Sequence, residues 1–145
     1  MSNIIRELTL EDYHNNYFKL LGQLTDAPEP TYQAFCQQFN QMQARGCHVV
    51  VIERDGRLVA SGTVVIEPKM THNLSFVSHI EDIVVDETCR GQGLAQKIVN
   101  YLVEYSRKQS CYKIILDCKV ELSKLYQQCG FVLKEHQMAL YFELP

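Results

Sequence analysis

The stretch from His79 to Lys108 constrains this chain more than any other. An apolar run, "HIEDIVV" over residues 79 to 85, leads into Arg90-Gly91-Gln92-Gly93. Apolar positions then recur at helical spacing, Leu94, Ile98, Leu102 and Tyr105, with Ala95, Val99 and Val103 widening the face. This pattern predicts a strand, a glycine turn and an amphipathic helix ending near Lys108. "CYKIILDC", residues 111 to 118, has the β-branched and aromatic density of another strand, and a strand regained through a helix lies parallel to the one before it. A turn alone needs one glycine. Two around Gln92 predict backbone amides brought close to a bound group. The first amides of a helix, unpaired and at the positive end of its dipole, favour an anion such as phosphate. Gly91 and Gly93 remove the β-carbons that would hold a pyrophosphate away, and Arg90 adds charge at the rim. The chain has no Gly-Lys-Ser or Gly-Lys-Thr of a P-loop, and no third spaced glycine after a first strand as in a dinucleotide fold.

The remaining chain reads as a frame around this unit. Ile4 to Glu7 is a short strand, and Thr9 with Asp12 three residues on resembles a capping box. A helix should start there, with a stripe of Leu10, Tyr13, Tyr17, Leu20, Leu21 and Leu24. A loop over 25 to 31 separates it from a second helix carrying Tyr32, Phe35, Cys36, Phe39 and Met42, which Gly46 ends. Cys47 to Arg54 and Arg57 to Glu67, rich in Val and Ile, flank Asp55-Gly56 and predict an antiparallel hairpin. After Cys118 a shorter helix holds Leu122, Leu125, Tyr126 and Cys129, and "FVLKEHQMALYFEL" supplies one or two final strands. The expected result is a single domain over 1–145, one mixed sheet with helices on both faces.

Charge and composition exclude several function classes. A formal charge of -3 argues against a nucleic-acid partner, since backbone affinity comes from clustered Lys and Arg. With 46% hydrophobic residues and no apolar run of membrane length, no membrane span is expected. The start, "MSNIIRELTLED", lacks the features of a secretory signal, so the expected location is cytoplasmic. The six cysteines form no Cys-x-x-Cys pair or cysteine-histidine group, so no metal is expected.

Arg90-x-x-Gly93-x-Ala95, after a strand and opening a helix, resembles the acyl-CoA signature of the GCN5-related N-acetyltransferase (GNAT) superfamily. The order of elements matches that fold along nearly the whole chain. The resemblance implies an α/β (α+β) class with a single mixed, mostly antiparallel sheet, a central parallel pair and helices on both faces. In register, "HIEDIVV", "GQGLA", "CYKIILDC" and "LYQQCGF" are similar to the glucosamine 6-phosphate N-acetyltransferases. This implies acetyl-CoA as co-substrate, D-glucosamine 6-phosphate as acceptor, a place in UDP-N-acetylglucosamine biosynthesis, and a homodimer that exchanges its chain ends. It also implies roles for residues. Ile83, Val84 and Val85 would hold the pantetheine arm through main-chain groups, and the amides of Arg90, Gly91, Gln92, Gly93, Leu94, Ala95 and Gln96 would hold the pyrophosphate. Tyr126 would stabilise or protonate the departing thiolate, and Asp117 would meet the sugar amine as base or orienter. Glu81, Asp82 and Ile83 would be acceptor contacts, with Lys69, His72, Tyr112, Lys113 and Thr25 around the phosphate.

Judged singly, these residues have plainer readings. Tyr126 lies on an apolar stripe and reads as core, Asp117 as a strand-end carboxylate, Lys69 and Lys113 as solvated charges, and His72 as a loop histidine. Glu81 and Asp82 are adjacent, so they point to opposite faces unless a bulge intervenes. Near the chain end, where the family carries an arginine, stands Tyr141, whose hydroxyl supplies neither the charge nor the fork of a guanidinium. That departure motivates an alternative acceptor, a peptide amine or a polyamine. The donor signature by itself also fits an acetyl-CoA sensor without catalysis. The leading expectation is direct transfer in a ternary complex, with Cys118 a packing residue in an apolar strand rather than a nucleophile. "MALYFEL" would leave a sticky free edge in a monomer, a second reason to expect a dimer.

Overall fold

Runs of β-branched residues set the strands of the computed structural model, which describes residues 2–144. β1 (Asn3–Glu7), β2 (Cys47–Arg54), β3 (Arg57–Pro68), β4 (Phe76–Val85) and β5 (Cys111–Ile115) lie side by side in chain order. β1 to β4 pair antiparallel in succession, and β5 pairs parallel to β4. Asp55 and Gly56 take φ values of 52° and 74° at the β2–β3 hairpin, as an Asp-Gly pair favours.

The helices are α1 (Tyr17–Leu21), α2 (Tyr32–Ala44), α3 (Thr71–Leu74), α4 (Leu94–Lys108) and α5 (Ser123–Gln128). The sheet separates two cores. α4 lays Leu94, Ile98, Val99 and Leu102 on one face, where Tyr126 of α5 joins them. Tyr17 and Leu20 of α1 and Phe35 of α2 cover the other face, over Val49 and Val51. Thr31 caps α2 by accepting from the Ala34 N–H at 3.2 Å, and α3 is a single turn in which His72, Asn73 and Leu74 take left-handed φ values of 50°, 60° and 59°.

The structure departs from the sequence expectation in three places. The stripe beginning at Leu10 is not one helix: a 3-10 turn (Leu10–His14) is followed by Asn16 in a left-handed conformation, φ 53°, before α1. Tertiary anchors explain the break. Asp12 is held by both terminal nitrogens of Arg6 at 2.8 Å, and Asn16 donates to the Leu58 carbonyl at 3.3 Å. β5 stops at Ile115 instead of Cys118, because its register with β4 ends at the His79–Ile115 pair. Cys118 is exposed rather than packed in a strand. Residues 131–144 form no strand; no neighbouring strand lies alongside, and Tyr141 and Leu144 are each 90% exposed. The parallel pair therefore lies at the edge of the described sheet.

Candidate active site

The bulge that the adjacent carboxylates require is present. Thr63 pairs with Glu81 and Ser61 with Val84, so Asp82 and Ile83 together face Gly62. Asp82 takes the strained half of this bulge at φ 53°. The position of Gly62 is fixed by packing: a β-carbon there would stand 2.5 Å from Ile98 Cγ2 and 2.6 Å from Ile83 Cδ1. The bulge turns Ile83 into the α4-side core. It carries Asp82 to the opposite face, where it lines a cavity of about 420 Å3 together with Thr63 and Tyr17. Residues paired across antiparallel strands share a face, so Glu81 and Asp82 both lie on the α1–α2 side. Tyr17 is pushed up to about 12 by burial, with the Asp82 and Asp12 charges adding to the shift.

Beyond His79 and Ile115 the parallel strands part, and residues 80 to 85 of β4 have no strand partner on the β5 side among the described residues. Asp117 follows β5 at the mouth of this wedge. Glu81 is raised above the ordinary glutamate value by desolvation and by the nearby Asp117 and Asp82 carboxylates, with His79 acting the other way. Tyr126, 8% exposed, packs edge-on against Phe131 with ring centroids 6.2 Å apart. Burial raises its hydroxyl, and the neighbouring Cys118, Cys129 and Asp117 raise it further. Val84 is buried, and Ile83 and Val85 pack against the core, so the side chains of this segment are structural and its main chain is what faces the wedge.

At the end of β4 the chain makes a 3-10 turn (Glu87–Cys89) and then the double-glycine turn, with Gly91 at φ 76° and Gly93 at φ 78°. A β-carbon at either glycine would meet nothing within 4 Å, so the left-handed backbone requires glycine and the space before it is open. The first N–H of this region to find a helical carbonyl is that of Lys97, bonded to Gly93 at 3.1 Å; among the described residues no backbone carbonyl accepts from residues 90–96. Leu94 is buried, Ala95 and Gln96 are half-buried, and Gln92 is exposed. Arg90 donates through Nε to the Val85 carbonyl at 3.2 Å, which holds its side chain over the strand end.

The basic residues gather elsewhere, at the amino ends of β4 and β5. The His72 ring stacks on Tyr112 at 4.1 Å, and Lys113 Nζ lies 5.6 Å from the Tyr112 ring centre. Lys69 is paired with Glu67 at 3.1 Å, and His79 meets the same carboxylate at 3.0 Å. Tyr112 lies near the start of β5, whereas Asp117 follows its end. Thr25 is exposed in the loop after α1, with its N–H bonded to Leu21. The structure thus brings Asp117 within electrostatic reach of both Glu81 and Tyr126, with Asp82 beside Glu81, and gathers Lys69, His72, Tyr112 and Lys113 at the amino ends of the same strands. Sequence reasoning missed Asp86, Gln23 and Arg57, which interlock beneath the donor turn. The available signal was Asp86 as N-cap before Glu87, a position that favours aspartate.

Among the described residues no helix is long and apolar enough to cross a membrane, and no group of three His, Cys, Asp or Glu is placed to hold a metal ion. Residues 5–131 match the model of the Acetyltransferase (GNAT) family. Glucosamine 6-phosphate N-acetyltransferase 1 of Oryza sativa subsp. japonica is 43% identical, covering 95% of this chain and 86% of that protein. The corresponding Arabidopsis thaliana enzyme is 38% identical over 96% of each chain. The crystal structure of glucosamine-6-phosphate N-acetyltransferase from Arabidopsis thaliana superposes with a TM-score of 0.95 at 37% identity, covering 99% of this chain and 100% of that one. A Trypanosoma brucei acetyltransferase reaches 0.94 at 34% identity, over 97% of this chain and 100% of its own. With a family model spanning most of the sequence and relatives matching it nearly end to end, this chain belongs to the GNAT acetyltransferase family.

Proposed function

We propose that the chain transfers the acetyl group of acetyl-CoA to the amine of D-glucosamine 6-phosphate, acting in the cytoplasm as a single-domain protein that pairs into a homodimer. The observation that carries this reading is the run of unpaired amides from Arg90 to Gln96, which follows the carboxyl end of β4 and the residues 80 to 85 that β5 leaves unpaired. Anions bind such amides at a helix start, and the open space before Gly91 and Gly93 fits a pyrophosphate. The acceptor rests on relatives that bear this activity in their names along almost the whole chain.

When bound, acetyl-CoA supplies an acyl group already activated as a thioester. The chain's own residues do the rest. Main-chain groups of Ile83, Val84 and Val85 align the pantetheine arm along the open side of β4. Asp117, Glu81 and Asp82 attract the acceptor amine, and the raised Glu81 is the better matched of these to take its proton. Tyr126 donates its hydroxyl proton toward the leaving sulfur, and its burial keeps that proton in place near neutral pH. Lys69, His72, Tyr112 and Lys113 gather at the amino ends of β4 and β5, away from the strand end that leads to Asp117. They serve the site of the partner subunit, with Thr25 contributing from the loop after α1.

A second reading, a peptide amine or a polyamine as acceptor, rests on Tyr141, at the position where the resemblance implies an arginine. A coupled thiol-release assay separates the two. Glucosamine 6-phosphate should outrun unphosphorylated glucosamine and a panel of peptides and polyamines. Faster turnover of any peptide or polyamine overturns the sugar-phosphate reading.

A further inference from the structure

We infer that Asp86 is a positioning residue that aims the donor turn, and that Gln23 ties this turn to the loop carrying Thr25. The inference rests on the donor reading above. The double-glycine turn gives its own amides no backbone partner, so their direction is set by what anchors its two ends. α4 anchors one end. The other is the 3-10 turn over 87–89, and Asp86 is its fastening.

Asp86 is 6% exposed. Its Oδ2 accepts from Arg57 Nη2 at 3.0 Å and from Gln23 Nε2 at 3.1 Å. Its Oδ1 accepts from the Thr88 N–H at 2.9 Å and from the Thr88 hydroxyl. The Asp86 N–H donates to Val59 at 2.8 Å, and its carbonyl accepts from Cys89 at 2.8 Å. Gln23 grips twice: while its Nε2 donates to the carboxylate, its Oε1 accepts from the Glu87 N–H at 2.8 Å. Two residues later comes Thr25, whose N–H is bonded to Leu21 at 3.2 Å. Three separate elements, the β2–β3 hairpin through Arg57, the segment after α1 through Gln23 and the 3-10 turn leading into the donor turn through Thr88, therefore converge on one carboxylate.

Four donors meet the two oxygens, so an amide cannot replace the carboxylate. In Asp86→Asn the NH2 group would face N–H donors of Gln23 and Arg57, or those of Thr88, and the chain would shift to relieve the conflict. A site held by a locked supporting shell loses affinity when that shell loosens, even where the binding groups themselves are intact.

The test is calorimetric titration of acetyl-CoA into wild type, Asp86→Asn and Gln23→Ala, below the melting temperature of each, with steady-state kinetics on glucosamine 6-phosphate. Asp86→Asn should raise the acetyl-CoA Kd about tenfold, the order of one hydrogen bond to a charged partner, and Gln23→Ala about threefold, less because Arg57 and Thr88 still hold the carboxylate. Gln23→Ala should also raise the acceptor KM at saturating acetyl-CoA, with kcat held within about twofold. A purely structural role would lower the melting temperature and leave these constants in place. Unchanged Kd in folded Asp86→Asn overturns the positioning role. If that variant does not fold, unchanged Kd in Gln23→Ala, a change at an exposed side chain, overturns it instead. An unchanged acceptor KM in Gln23→Ala removes the link to the Thr25 loop. Failure of the wild type to bind acetyl-CoA would defeat the donor reading itself, a result separable from all of these.

Discussion

At the scale of single residues, a side chain's surroundings decide more than its identity. Tyr126 satisfies the plainer reading, a tyrosine packed in the core, and also sits where Asp117 and Cys118 leave the strand. Tyr126→Phe keeps the packing and removes the proton. It should lower kcat by about a hundredfold, the low end for loss of a general acid, with acetyl-CoA Kd little changed. A stopped-flow thiol assay beside calorimetry checks this, and full activity would remove Tyr126 from the chemistry. Sequence could name Glu81 and Asp82 but not place them together, because alternation sends neighbours to opposite faces. The bulge depends on Gly62, twenty residues away on another strand, and no local pattern reveals that pairing. The same limit hid Asp86, whose partners Gln23 and Arg57 are local to neither the turn nor each other.

Among the elements, those with strong local signals were legible, and those that need a distant partner were not. α4 and its glycine turn fall where the apolar spacing puts them, and so does the Asp-Gly hairpin. Residues 116–118 look like strand by composition, yet strand requires a neighbour, and β4 bends away at its bulge. Two variants probe this layer. Gly62→Ala forces a methyl group against Ile98 and Ile83 and should cost about 1–3 kcal/mol, as overpacking does; urea unfolding measures it, and a neutral result would mean that the bulge gives way freely. Asp12 belongs to the 3-10 turn that stands where the first helix was expected to start. Burial raises its carboxyl, but the Arg6 grip and the Thr9 N–H outweigh that and hold it below the ordinary value. A depressed folded value stabilises the protein above the unfolded carboxylate range of about 4 and loses that contribution as pH falls through the folded value. Asp12→Asn should therefore cost about 2 kcal/mol at neutral pH, less than for a fully buried pair because Arg6 is 29% exposed and retains Glu53. It should also flatten the loss of stability below about pH 4, which urea titrations across pH would register.

For the molecule as a whole, the last fourteen described residues are the informative anomaly. Met138, Leu140, Tyr141, Phe142 and Leu144 are each at least 80% exposed, and β5, the edge strand nearest in sequence, leaves Tyr112 and Ile115 about 40% exposed. An exposed apolar segment and an unpaired strand edge are both what association covers. Light scattering should report a dimer for the full chain and a monomer for a chain ending at Gln137, with acetyl-CoA binding retained and turnover on glucosamine 6-phosphate lost. A monomeric full chain would contradict both the pairing and the shared placement of the phosphate contacts.

The parting of β4 from β5 has one more consequence. A strand with one flank left unsatisfied is a weak seam, and whatever lies along it repairs the sheet. Occupancy should then show as heat resistance, rising with the logarithm of donor concentration above its Kd. Amide exchange should slow along residues 80 to 85 before it slows anywhere else, so that the molecule reports its own filling by stiffening at its least finished edge.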